Sequence, residues 1–379
     1  MGVRSVEFSS DNRFIISGSN DESVRVWDGS TGQTLKVLEG HTQWVTSVAF
    51  SSDNRFIISG SYDKSVRVWD ASTGEALKVL EGHTMGVTSV AFSSDNRFII
   101  SGSYDKSVQV WDGSTGQTLK VLEGHTQAVT SVAFSSHNRF IISGSYDKSV
   151  RVWDASTGET LKVLKGHTQA VTSVAFSSHN RFIISGSHDK SVRVWDASTG
   201  ETLKVLKGHT HWVTSVALSS DNRFIISGSY DKSVRVWDAS TGETLKVLED
   251  HTYEVTSVAL SSDNTFIISG SRDKSVRVWD ALTNDLLAGP PESATFLPEA
   301  QKTSLGYIRQ KNLKADSPGS LQHTGWLLSP HKADYLMFVP LSANLPDSSN
   351  ILTLPQSSAA SVDFTSSTLG SEWHKCFIL

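Results

Sequence analysis

With a single cysteine among 379 residues, the chain has no material for a framework of internal disulfides, and its histidines show no zinc-ligand spacing. The fold must hold by packing and hydrogen bonding alone, which suits the reducing cytosol or the nucleus. Lysine and arginine number 34 against 39 aspartates and glutamates, a net charge of −5, so a basic excess for nucleic acid is missing. No apolar run approaches the ~18 residues of a membrane span. The opening Met1-Gly2-Val3-Arg4-Ser5-Val6-Glu7 has no apolar signal core, Val6 stands where a myristoylation motif wants Ser or Thr, and no Asn-X-Ser/Thr acceptor occurs. A phosphate-cradling loop of the form G-x-x-x-x-G-K-S/T is also lacking, so nucleotide hydrolysis is not encoded. The expectation is a cytoplasmic or nuclear chain with no cofactor, no nucleic-acid partner and no membrane partner.

What the sequence has in abundance is itself. Tryptophan recurs at 27, 69, 111, 153, 195, 237 and 279, each 42 residues from the last and each followed by aspartate. Histidine recurs with the same step at 41, 83, 125, 167, 209 and 251, preceded by glycine except at Asp250. The stretches 124–165 and 166–207 differ only at Tyr146 versus His188. Within one unit, short β-prone runs (VTSVAF, FIISGS, SVRVWD, ALKVL) alternate with turn chemistry such as Ser52-Asp53-Asn54-Arg55 and Ser72-Thr73-Gly74. Four antiparallel strands per unit predict one blade, and seven blades set radially bury one another's faces.

Gly-His, Ser59-Gly60-Ser61-Tyr62-Asp63 and Trp69-Asp70 at this spacing resemble the WD-repeat (WD40) propeller family over residues 1–289. The resemblance implies an all-β fold, a seven-bladed propeller followed by a C-terminal tail with short β-strands. It also implies a structural tetrad in each blade in which histidine links a turn aspartate to a strand serine, and the serine meets the indole N–H. The sets are His41, Ser59, Asp63 and Trp69; His83, Ser101, Asp105 and Trp111; His125, Ser143, Asp147 and Trp153; His167, Ser185, Asp189 and Trp195; His209, Ser227, Asp231 and Trp237; His251, Ser269, Asp273 and Trp279. Elementary chemistry agrees, because a buried indole and imidazole need partners. The first unit has Ser17, Asp21 and Trp27 but no histidine.

Repetition also argues against catalysis, since a Ser-His-Asp set present six times over reads as scaffold rather than as one exposed nucleophile. His209-Thr210-His211 offers two imidazoles, but no carboxylate or thiol joins them nearby and no metal is expected. The inner strands are expected to line the channel with Thr, Ser and Ala, without a ring of carboxylates or histidines. Lysines 64, 106, 148, 190, 232 and 274 follow the turn aspartates and read as solvated turn residues.

Seven copies of one unit allow an internal comparison: columns that vary while the scaffold does not are the candidate binding positions. The residue before the first strand reads Gly2, Trp44, Gly86, Ala128, Ala170, Trp212 and Glu254. The one before that includes Gln43, Met85, Gln127, Gln169, His211 and Tyr253, and the one before the turn aspartate reads Asn20, Tyr62, Tyr104, Tyr146, His188, Tyr230 and Arg272. All three belong on one face around the channel, so Gln43, Trp44, Tyr62, Tyr104, Tyr146, His188, His211, Trp212, Tyr230, Tyr253, Glu254 and Arg272 are the expected protein- or peptide-binding residues.

The remaining chain divides into a linker, 290–325, in which Leu305 to Ile308 could form a strand, and a strand-containing tail, 326–379. The tail's strand-like runs are Trp326 to Leu328, Tyr335 to Val339, Ile351 to Leu354 and Ser361 to Phe364. With its Gly-Trp strand and terminal Trp373-His374-Lys375-Cys376 it resembles the segment after propeller arrays in basidiomycete NACHT-type receptors, which implies a ligand-sensing repeat region or a fragment of one. Rival readings are a ubiquitin-ligase substrate adaptor and an RNA-processing or chromatin scaffold. Cys376-Phe377-Ile378-Leu379 also fits a prenylation pattern, but one lipid without a polybasic stretch anchors marginally. Because Pro290-Pro291 interrupt the seventh unit's fourth run, Tyr335 to Val339 is expected to cover that blade's outer edge.

Overall fold

A computed structural model describes residues 2–281 and, as backbone strands, 286–288, 326–328, 336–338 and 377–378. Two compact units divide at Thr295 and Phe296. In the first, β1 (Val3–Phe8), β2 (Phe14–Ser19), β3 (Val24–Asp28) and β4 (Thr34–Leu38) form an antiparallel sheet in sequence order, blade 1. Strands β5 (Val45–Phe50) to β24 (Thr244–Glu249) repeat it five times, and β25 (Val255–Leu260), β26 (Phe266–Ser271), β27 (Val276–Asp280) and β28 (Leu286–Ala288) complete blade 7. This is an all-β, seven-bladed propeller, and among the described residues no helix is long and apolar enough to cross a membrane.

The cores lie between blades. Leu38 on β4 packs with Val45 and Trp69 of blade 2, and the same contact recurs through Leu248 against Val255 and Trp279. Two hydrogen-bond rings fix the circle. In one, a strand amide of each blade donates to a serine hydroxyl of the blade before it, as Val48 N to Ser5 Oγ at 3.2 Å, through to Val6 N on Ser257 Oγ at 3.1 Å. In the other, a turn asparagine accepts from the preceding blade, as Asn54 from Ser10 N at 2.8 Å and Asn12 from Ser262 N at 2.9 Å. Each such asparagine sits near φ +60°, which asparagine tolerates better than most residues.

Both rings run unbroken from blade 7 to blade 1, so closure is made by β25 against β1. That corrects the expectation of closure by the tail. The fourth strand of blade 7 is Leu286–Ala288, paired to β27 through Val278↔Ala288 and Trp279↔Leu286. Three donors precede Pro290-Pro291, and they suffice for a short ladder. Leu336–Phe338 (β30) instead pairs Trp326–Leu328 (β29) and Phe377–Ile378 (β31) in the second unit. The expected runs Leu305–Ile308, Ile351–Leu354 and Ser361–Phe364, and Cys376, lie outside the described residues.

The seam between blades 7 and 1 is nevertheless the thinnest. Everywhere else a fourth-strand lysine reaches carbonyls of the next blade's turn, as Lys162 Nζ does to Ala197 O at 3.1 Å. Register places Ala288 where blade 6 has Lys246. Trp27, Val276 and Val278 are only partly buried, whereas Trp69, Val66 and Val68 of blade 2 are buried.

Candidate functional site

Hydrogen bonds organise each blade first. In blade 2, Trp69 Nε1 donates to Ser59 Oγ at 2.8 Å, Ser59 Oγ lies 2.7 Å from His41 Nε2, and His41 Nδ1 lies 2.7 Å from Asp63 Oδ2. An indole N–H can only donate, so the serine proton is directed to Nε2 and Nδ1–H donates to the carboxylate. Five further blades repeat the chain through His83, His125, His167, His209 and His251. Burial pushes the Asp63 carboxyl upward, but hydrogen bonds from His41 and Ser65 outweigh it and hold the group well below the usual carboxylate range; Asp273, facing His251 and Ser275, is lowered to about 2. The serine after the turn, Ser65 and its copies, was not singled out from the sequence, although it too recurs in every unit.

No nucleophile is available in this constellation. Ser59 is 0% exposed and its oxygen is already engaged by indole and imidazole. Of the neighbouring pair, His209 uses both ring nitrogens on Asp231 and Ser227, and His211 Nδ1 accepts from Trp212 N at 2.9 Å. Blade 1 runs on Trp27 Nε1 to Ser17 Oγ alone, at 2.8 Å, with Asp21 facing Arg25 instead of a histidine. In blade 7, Asp250 in the glycine position pairs with Arg277.

The variable columns meet around the mouth of the central channel. Tyr62 and Tyr104 touch edge to face at 5.5 Å with their hydroxyls 2.9 Å apart, Tyr104 meets Tyr146 at 6.3 Å, and Tyr146 meets His188 at 6.0 Å. His188 stacks on Trp212 at 4.1 Å, and Trp212 meets Tyr230 at 5.2 Å. Trp44 extends the other end against Tyr62 at 5.5 Å. Tyr62, Tyr104, Tyr146 and Tyr230 are thus links of one aromatic rim, with Tyr62, Tyr104 and Tyr230 half-buried, while Trp44 (41%), Tyr146 (38%), Trp212 (38%) and Tyr253 (60%) present the exposed surface. Burial and the Tyr62 hydroxyl raise the Tyr104 phenol further; His188 is lowered by burial and by His211. A Cβ on Gly86 would lie 3.0 Å from the Tyr62 ring, so a larger residue there would push on that ring. Gln43 and His211 are exposed at the rim's outer side and Glu254 is half-buried.

Two side chains interrupt the aromatic run at the seam. Arg272 lies over Tyr230 at 5.2 Å and donates to its hydroxyl at 2.8 Å. Arg4 lies over Trp44 at 4.7 Å and donates through Nε to Asn20 Oδ1 at 2.6 Å. Arg4 corrects the expected Thr, Ser and Ala lining: it replaces the threonine of the other six inner strands, a departure that was legible in VRSVEF against VTSVAF. In the same strand Glu7 takes the alanine position, and burial pushes its carboxyl up to about 8 against the opposing pull of the Phe50 N–H.

The comparisons agree with this architecture. Residues 1–28, 32–70 and 74–112 match the family described as WD domain, G-beta repeat, and residues 106–281 match the description WDR3 first beta-propeller domain. The chain is a β-propeller of WD40 repeats. Among curated proteins it is similar to nuclear distribution protein PAC1 of Mycosarcoma maydis, 48% identical over 33 residues, which is 9% of this chain and 7% of that protein. The stretch is shorter than one repeat, so the chain spans only a small part of that relative's length. WD40 propellers are generally non-catalytic scaffolds that bind protein partners.

Proposed function

We propose that this chain is a non-catalytic scaffold that binds a protein or peptide across the face holding the channel mouth. One observation carries the reading: the side chains that differ between otherwise near-identical repeats converge on a continuous aromatic rim, with Trp44 and Trp212 exposed at 41% and 38%. Tryptophan, tyrosine and arginine are the side chains that most often anchor interfaces. The narrower reading, a ligand-sensing array like that of basidiomycete NACHT-type receptors, is supported by the tail's sequence resemblance and by near-identical repeats whose differences include the face positions.

The test is to convert Trp44 or Trp212 to alanine, recover partners by affinity purification and mass spectrometry, and measure their binding with purified protein. Both side chains lie outside the tetrads, so folding is retained while binding weakens by about 2 kcal/mol or more. Wild-type binding by both variants, together with loss on changing Arg139 or Arg181 in the other loops, overturns the choice of face.

A further inference from the structure

The channel mouth encloses about 180 Å³, lined by Arg4, Arg272, His188, four tyrosines and six threonines, with no carboxylate among them. A space of that size has room for one side-chain head group. The threonines contribute no free proton, because each donates to a carbonyl of the next blade, as Thr88 Oγ1 does to Val129 O at 2.7 Å. Charge in this cavity comes from the two arginines.

Arg151 and Arg193, over Trp153 and Trp195, show that an arginine resting on an aromatic face recurs in this chain; Arg4 and Arg272 differ in lining the channel mouth. Arg25 faces Asp21 and Arg277 faces Asp250 and Asp273. Among the described residues, Arg4 and Arg272 have no carboxylate partner; each rests on an aromatic face and donates a side-chain hydrogen bond to a neutral oxygen. A guanidinium has five donors, so most remain for a ligand. Both are singular in their columns, Arg4 among threonines and Arg272 among tyrosines, histidine and asparagine, and they flank the same seam. This positive site stands on a chain whose net charge is −5, so it is local and is no product of overall composition.

We infer that Arg4 and Arg272 form a subsite for an anionic side chain, a carboxylate or a phosphorylated hydroxyl, on the peptide held by the aromatic rim; the inference rests on the binding face proposed above. Arginine forks match both anions, and the aromatic rim beside them receives the peptide's apolar neighbours.

Nine-residue peptide pools with a fixed central Glu, phosphoserine, Gln or Lys, tested for binding to the full chain, separate the possibilities. The Glu and phosphoserine pools are expected to be retained about ten-fold or more over Gln and Lys, an effect typical of one charge-assisted pair. The ratio between those two arms tells which anion the site prefers. Arg4→Thr and Arg272→Tyr install residues the other blades already carry, so the fold tolerates them, and together they should erase the preference. Trp212→Ala should instead weaken every pool alike. Binding without charge preference that Trp212→Ala weakens keeps the face and overturns the subsite; binding of no pool overturns both. A preference that survives the double replacement, or tighter binding of a single-stranded RNA lost with the same arginines, also overturns it.

Discussion

Ser143→Ala tests the hydrogen-bonded scaffold against a control within the same chain. Ser143 is 0% exposed, and its oxygen meets Trp153 Nε1 at 2.8 Å and His125 Nε2 at 2.8 Å. Removing it leaves a buried indole N–H and a buried imidazole nitrogen without partners, each costing about 1–3 kcal/mol, so the loss is about 2–6 kcal/mol. Ser17→Ala makes the identical chemical change in blade 1, where only Trp27 Nε1 bonds the serine, at 2.8 Å, and no imidazole is present. Trp27 is partly exposed, so water replaces the lost acceptor and the cost falls to about 1 kcal/mol or less. Urea denaturation with slopes compared between variants reads the difference, and hydrogen exchange localises it if a repeat array unfolds in stages. A further His125→Ala in the Ser143→Ala background should cost less than it does alone, because the partner is already gone. Equal losses for Ser143→Ala and Ser17→Ala would refute the reasoning.

Titration adds two expectations of opposite sign. Asp273, lowered to about 2, and the tetrad aspartates lowered with it contribute stability that is fully present above the ordinary range near 3.8 and is lost as pH falls through their folded values. Denaturation midpoints should therefore drop steeply below about pH 4, and Asp273→Asn should flatten that limb. Glu7 behaves the other way: raised from 4.5 to about 8, it binds a proton in the folded state that the unfolded chain has released, so stability falls as pH rises across that window. Glu7→Ala, the residue of the other six blades, should remove this slope; an unchanged midpoint profile between pH 5 and 8 counts against it. At the thin seam, amides of β27 and β3 should exchange with deuterium faster than those of their counterparts in blades 4 and 5.

The fold was legible because its information is repeated. Trp153, His125, Ser143 and Asp147 would be weak signals once, but at a fixed 42-residue step they leave few architectures. The face was legible for the complementary reason, since Tyr146 against His188 is a difference that scaffold geometry does not require. What stayed hidden was side-chain direction. Spacing places Tyr62 and Tyr104 on equivalent turns, yet only three-dimensional packing brings their hydroxyls to 2.9 Å and turns separate anchors into a rim. Lys64 at φ +74°, in a turn where glycine or asparagine is the usual choice, likewise carries no marker in its own letter. Closure was misjudged because Pro290-Pro291 were weighed as ending the strand, while three residues before them sufficed to pair with β27.

Repetition that makes a ring stable also confines where it can be made specific. Six junctions carry the same leucine, lysine and Gly-His or Asp-His loop, so a change of charge at one of them has to coexist with a packing solution shared by the rest. The seventh junction has Ala288 in place of the lysine staple and is held by inner-strand bonds such as Val6 N to Ser257 Oγ at 3.1 Å. Exceptions can accumulate there at little further cost, and Arg4 and Glu7 on blade 1 and Arg272 on blade 7 are such cases. Of these, Arg4 and Arg272 reach the channel mouth. A near-symmetric ring cannot orient an asymmetric ligand, whereas one with its charge on a single side can, because a peptide reversed end for end would move its anionic group away from the two guanidinium groups.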